Sequence, residues 1–204
     1  MMETNCPHCD SESFAYKHIL HESEHFHILC DVHPIVEGHL LIIPKEHISC
    51  TGELAPQKFQ EFVELYEQSR HFIQETYGHV STFEHGKIGQ TVFHAHVHIF
   101  PFEGKPEQIV PEGSSYFYPL TGIHELPEIF SRDGQYLFFS IGNRPWAVDT
   151  SLGAPRFFRD RFAAALGSPE RGNWKTMRKN AMLMAKAEEE ISRTKERWRK
   201  REKV

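Results

Sequence analysis

Between Gln90 and Pro101 the chain reads Gln-Thr-Val-Phe-His-Ala-His-Val-His-Ile-Phe-Pro, with histidines at 94, 96 and 98 separated by single apolar residues. The period of two predicts a β-strand over residues 92–100. On such a strand His94, His96 and His98 share one face, with successive Cα atoms roughly 6.5–7 Å apart. Ala95, Val97 and Ile99 take the other face, which suits packing beneath a helix. Three adjacent imidazoles are poor core material, because each needs partners for its N–H and its lone pair. The strand therefore has to divide a core from a polar site.

The flanking patterns supply the rest of a fold. Residues 13–20 and 25–32 read as short strands joined around Glu22–Ser23, and 39–44 as a third that Pro44 stops. From Pro56 to Tyr77 the apolar positions Phe59, Phe62, Val63, Tyr66, Ile73 and Tyr77 follow the helical period, with Gly78 as the stop. Strands are expected at 79–84 and 92–100, separated by the turn 85–89. Strands, helix, strands is the order of an α+β domain with a mainly antiparallel sheet and a packed helix. That domain is expected over residues 1–102. Residues 103–173 read as an extension packed on it, mostly loop, with a strand at 136–141 and a helix near 156–166. Residues 174–203 read as one long helix, the core of a basic C-terminal segment 174–204, in which Met177, Met184, Ile191 and Trp198 recur every seven residues. Glu188 and Lys195 interrupt that stripe, so it suits docking better than a coiled coil.

At 204 residues the chain can bury a sizeable core. No apolar run reaches membrane-spanning length, and the first ten residues do not read as a signal peptide. The expectation is a cytoplasmic protein with reduced cysteines, which makes Cys6, Cys9, Cys30 and Cys50 thiols or metal ligands. The net charge of −5 is uneven. Residues 171–204 hold 12 Lys/Arg against 5 Asp/Glu, a local +7, and the remainder holds 11 against 23, a local −12. A basic tail can contact nucleic acid, but a solvated helix face is the commoner outcome.

Two chemistries fit the triad taken alone. The histidines can ligate a catalytic metal, or one imidazole can attack phosphorus while the others orient phosphate and leaving group. The surrounding sequence favours the second. Gly89-Gln90-Thr91-Val92 before the triad, and Gly38-His39-Leu40-Leu41-Ile42-Ile43-Pro44-Lys45-Glu46-His47-Ile48 earlier, resemble the histidine-triad (HIT) superfamily over about residues 5–102. The resemblance implies a HIT-like fold and a nucleotide hydrolase or transferase working at an α-phosphate, on a dinucleoside polyphosphate, a nucleoside phosphoramidate or a nucleotide sugar.

It also assigns roles. His96 matches the nucleophile that becomes nucleotidylated, His98 the histidine that contacts phosphate and helps the leaving group, and His39 the residue supporting the site from behind. Asp31 matches a ribose-binding position and Gln90 a phosphate-lining one. In the zinc-bearing branch that the chain resembles, Cys6, Cys9, His47 and His94 surround a structural Zn2+, with His8 of the Cys6-Pro7-His8-Cys9 knuckle as a substitute ligand. Phe83-Glu84-His85-Gly86 departs from the usual amide-containing turn and puts Glu84 or His85 toward the phosphates, Glu84 only if protonated or turned away. The stretch from Arg156 to Trp174 resembles one following the triad domain in dinucleoside polyphosphate phosphorylases and splicing-associated triad proteins. There Arg156 and Arg159 can reach phosphates or form salt bridges to the acidic body, and Arg144 is a further loop candidate.

The implied partner is a small-molecule nucleotide. A homodimer is compatible with the resemblance, and a membrane is not expected. A competing function is a nucleotide- or RNA-binding module with little activity that uses the basic tail. A metal-dependent hydrolase is a third, disfavoured because no acidic ligand adjoins the triad.

Overall fold

The computed structural model describes residues 6–10 and 12–201. Its strands are β1 (Ile19–Glu22), β2 (Phe26–Cys30), β3 (Leu40–Pro44), β4 (Ser81–Gly86), β5 (Val97–Phe100), β6 (Phe117–Pro119), β7 (Tyr136–Ile141) and β8 (Arg144–Val148). They form a single sheet in the order β1-β2-β3-β5-β4-β7-β8-β6, and each neighbouring pair is antiparallel. The α-helices are α1 (Pro56–Tyr77), α2 (Pro106–Ile109), α3 (Leu126–Asp133), α4 (Phe157–Ala165), α5 (Trp174–Met177) and α6 (Ala181–Arg201). The fold is α+β, as the sequence pattern requires. Among the described residues no helix is long and apolar enough to cross a membrane.

Side-chain alternation builds two cores on opposite faces of the sheet. Leu40 and Ile42 of β3, Val97 and Ile99 of β5 and Phe138 of β7 pack with Phe62, Leu65, Tyr66, Phe72 and Ile73 of α1. On the other face Phe83, Phe100, Leu137 and Phe139 pack with Phe158 and Phe162 of α4. The expectation that Ala95, Val97 and Ile99 lie under the helix is met. Helix α1 starts at Pro56 and ends at Gly78, whose φ of 85° closes the last turn through an N–H donated to Gln74 O.

Several elements depart from the expected ones. Residues 92–96 are not strand, and pairing begins only at Val97. The preceding loop is set by Gly89, where φ is 78° and a Cβ would lie 2.7 Å from Ala154 O. Residues 14–18 form a 3-10 helix because the Ser13 hydroxyl accepts from Ala15 N. Strand β8 lies where a loop was expected around Arg144, and it carries a proline, Pro145, a residue uncommon inside strands. It stands as residue two of β8, opposite Ser140. The expected single helix over 174–203 is broken at 178–180, where Asn180 Oδ1 accepts from Met182 N and Leu183 N and starts α6 afresh.

Helix α6 docks back on the body. Trp198 packs edge-on against Phe72 at 4.8 Å between ring centroids, and Thr194 Oγ1 lies 3.0 Å from Tyr77 Oη. Glu190 accepts from buried Arg171 at 2.7 and 3.1 Å. Arg193 and Arg197 both pair with Glu37, so part of the tail's positive charge is balanced within the chain.

Candidate functional site

Two histidine clusters adjoin, one on each side of the triad. In the first, Cys6, Cys9, His47 and His94 bring one donor atom apiece within 4.8 Å of one another. Cys9 Sγ lies 3.1 Å from His47 Nδ1 and 3.4 Å from His94 Nδ1, and Cys6 Sγ lies 3.6 Å from His94 Nδ1. A tetrahedral zinc with ordinary Zn–S and Zn–N bonds puts sulfur and nitrogen about 3.5 Å apart, so the four donors fit that ion. His94 is oriented from outside the cluster. Its Nε2 donates to Pro44 O at 2.8 Å, which leaves the Nδ1 lone pair turned to the thiols.

The second cluster is a chain of imidazoles whose tautomers follow from their partners. His39 Nδ1 accepts from Ile35 N at 3.1 Å. Its Nε2 therefore carries the hydrogen and donates to His98 Nδ1 at 2.8 Å. The hydrogen of neutral His98 is then on Nε2, a buried atom with no hydrogen-bond partner. His96 Nδ1 must donate to His94 O, 2.7 Å away, because a carbonyl only accepts. The lone pair of His96 is consequently on Nε2. Burial lowers the pKa of His96, lowers that of His98 well below the ordinary histidine value with His96 adding to it, and pushes His39 down to about 3. The shift favours the neutral form of each of the three rings.

His96 and His98 line a cleft with Pro7, His8, Phe14, Leu29, Asp31, His33, Leu41, Thr91, Arg159 and Trp174. The cleft is on the sheet face opposite α1, so the helix backs the site without entering it. Asp31 is buried, its Oδ1 accepting from His33 N at 2.8 Å and its Oδ2 from Arg159 at 2.6 Å. Burial alone would raise this carboxyl, but the Arg159 guanidinium, with His39, holds it well below the usual range. Arg159 also donates to His33 O and Gly172 O. It acts as the salt bridge to the acidic body, tying the C-terminal segment to the end of β2. Trp174 closes the same wall, its Nε1 donating to Thr91 Oγ1 at 3.1 Å and its ring 5.7 Å from His33.

Other expected residues lie elsewhere. Glu84 points to the α1 face, fully buried, and accepts from Thr51 N at 2.7 Å, from Thr51 Oγ1 at 2.5 Å and from Tyr136 Oη at 2.6 Å. Alternation along β4 turns it away from the cleft that His96 and His98 line. Its neighbour His85 faces the cleft side but accepts from Phe158 N and is walled in by Phe83 and Phe158. Gln90 Nε2 donates to Ser49 O at 2.6 Å, which anchors the loop and leaves the residue outside the cleft. Arg156 pairs with Asp160 on its own helix. Arg144 lies over Trp146 and lines a separate surface cleft with His79 and Asn143. His8, His33 and Thr91 were missed as cleft residues. Only the His8 position inside the Cys6–Cys9 knuckle carried a signal, and that signal pointed to metal.

Residues 12–104, a little under half of the chain, match the family model of the HIT domain. Protein hit of Bacillus subtilis is 34% identical over 90 residues, which are 42% of this chain and 62% of that protein. The chain thus spans less than two thirds of that relative's length. An uncharacterized HIT-like protein of Methanocaldococcus jannaschii is 27% identical over 95 residues, covering 45% of this chain and 74% of that one. A crystal structure of a HIT family member from Bacillus subtilis aligns with a TM-score of 0.39 at 29% identity, covering 43% of this chain and 65% of that one. Cys6, Cys9, Arg159 and Trp174 all lie outside the matched segment.

Proposed function

We propose that the protein is a nucleotide hydrolase or nucleotidyl transferase that acts at an α-phosphate through a nucleotidyl-histidine on His96. The observation that carries this reading is the pairing of a lone pair on His96 Nε2 with an unbonded N–H on His98 Nε2, on one wall of one cleft. A neutral imidazole is a competent nucleophile toward phosphorus. The Nε2 lone pair forms the N–P bond as the bond from phosphorus to the leaving group breaks with its electron pair. His98 Nε2–H donates to the oxygen that gains charge, and His39 holds His98 in the donating tautomer. Water or another acceptor then attacks phosphorus and gives up its proton to solvent, the N–P bond breaks, and its electrons return to His96 Nε2.

Asp31 supports nucleotide binding from the floor of the cleft. Each carboxylate oxygen keeps a further lone pair for a ribose hydroxyl after its present bond. Phe14, Leu29 and Leu41 supply apolar surface for a base. The cysteine and histidine cluster is assigned to a structural zinc on the fit of its donor distances. Four protein donors leave no open position for substrate, so zinc there would supply stability and fix the loop that carries His96.

The test is incubation with a panel of adenylylated and uridylylated substrates, followed by mass spectrometry. A mononucleotide adduct on His96 is expected, and a His96→Ala variant is expected to bind nucleotide and lack turnover. Full activity in that variant would overturn the assignment. The same panel identifies the base and the leaving group.

A further inference from the structure

The cysteine knuckle carries an imidazole that the metal cluster does not use. His8 lies between Pro7 and Cys9 and is 6% exposed, and its nitrogens are not among the four clustered donors. Its ring stands edge-on to His96 at 5.1 Å and to His94 at 5.5 Å between centroids. It lines the cleft that His96 and His98 line. Its Nδ1 is buried with no hydrogen-bond partner, a costly state for an imidazole that nothing compensates. The ring does not hang from a loose turn. Cys9 N donates to Cys6 O, the Ser13 hydroxyl donates to Pro7 O, and Tyr16 Oη donates to His8 O at 2.5 Å.

His96 is therefore flanked by two imidazoles at nearly equal distance, His8 at 5.1 Å and His98 at 5.0 Å. A phosphoryl group held at His96 presents non-bridging oxygens to both sides. His98 supplies an N–H on one side. We propose that His8 supplies the other, as a phosphate-contacting residue brought to the nucleophile by the knuckle whose cysteines meet His47 and His94. The proposal rests on the nucleotidyl-transfer reading for the identity of the anion. It adds a site residue that lies outside the matched HIT segment.

The test uses the full-length protein with its metal content measured by elemental analysis, titrated with AMP, with adenosine and with inorganic phosphate. His8→Ala is expected to weaken AMP and phosphate binding about tenfold or more, the size of a lost hydrogen bond to a charged group. Adenosine affinity and metal content are expected to stay unchanged. His8→Gln, whose amide can donate, is expected to recover part of the loss. The proposal is overturned if His8→Ala binds AMP and phosphate like the parent. It is equally overturned if that variant loses its metal together with both ligands, since His8 would then be a structural part of the knuckle. Failure of the nucleotidyl-transfer reading shows separately, as absence of an adduct on His96 in the parent protein, while the phosphate titration still decides whether His8 touches the anion.

Discussion

Glu84 and His85 are consecutive residues with opposite fates, and the pleat of β4 separates them. Burial pushes Glu84 up to about 7 against the pull of its bonds to Thr51 and Tyr136. It pushes His85 down to about 3. A carboxyl raised on folding stabilises the fold below its unfolded value of 4.5, and that contribution is lost as pH rises through about 7. A histidine lowered on folding stabilises the fold above 6.5, and that contribution is lost as pH falls toward about 3. Urea unfolding at a series of pH values separates the two. Glu84→Gln is expected to gain stability relative to the parent at pH 8 but not at pH 4. His85→Gln is expected to flatten the loss between pH 6.5 and 4. A Glu84→Gln curve parallel to the parent at all pH values would show that this carboxyl titrates normally. The sequence marked both residues as candidates because they break a family turn. It could not tell which face each would take, since that depends on where β4 enters register with β5 and β7.

At the scale of elements, legibility followed local chemistry. Helix α1 was readable at both ends because Pro56 and Gly78 act through their own backbone preferences. The triad strand was not, although its alternation was regular. Residues 92–96 are held by contacts the alternation cannot express, namely Ala95 N donating to Ile48 O and His94 bonding to Pro44 and the cysteines. His94 and His96 are thus turned by a loop and His98 by β5, so the three rings are oriented separately and not by one shared strand face. Helix α6 was visible as a stripe but its docking site was not. Trp198 is 2% exposed and packs on Phe72. Trp198→Ala is expected to cost about 3–5 kcal/mol of stability, as for other buried aromatic truncations, measured by denaturant unfolding. A loss below about 1 kcal/mol would mean the helix is only loosely attached.

For the whole molecule, the two histidine clusters share one support, so a metal held by the first would be mechanically linked, through His94 and His96, to the chemistry proposed for the second. Chelation of the purified protein is expected to lower its melting temperature and to weaken AMP binding together, with zinc restoring both. Unchanged thermal stability after verified metal removal would dissociate the cluster from the fold. The tail's charge bears on the competing nucleic-acid reading. With Arg171 bound to Glu190 and Arg193 and Arg197 bound to Glu37, the segment from residue 171 onward presents fewer free cations than its composition suggests. RNA affinity is expected to be weak at physiological salt and little altered by deleting residues 175–204. Strong salt-dependent binding that vanishes with that deletion would revive the binding-module function.

The matched HIT segment ends at residue 104, yet β4 inside it pairs over its whole length with β7 beyond it. Anyone trimming the chain to its recognisable portion would cut between two halves of one ladder. Six residues of β4 backbone, from Ser81 to Gly86, would then face solvent as a raw seam. A seam of that kind recruits the nearest compatible strand, so the trimmed protein is expected to self-associate or precipitate where the intact one does not. The ladder that β4 belongs to runs past the matched segment, so its two sides are separated by a cut at residue 104.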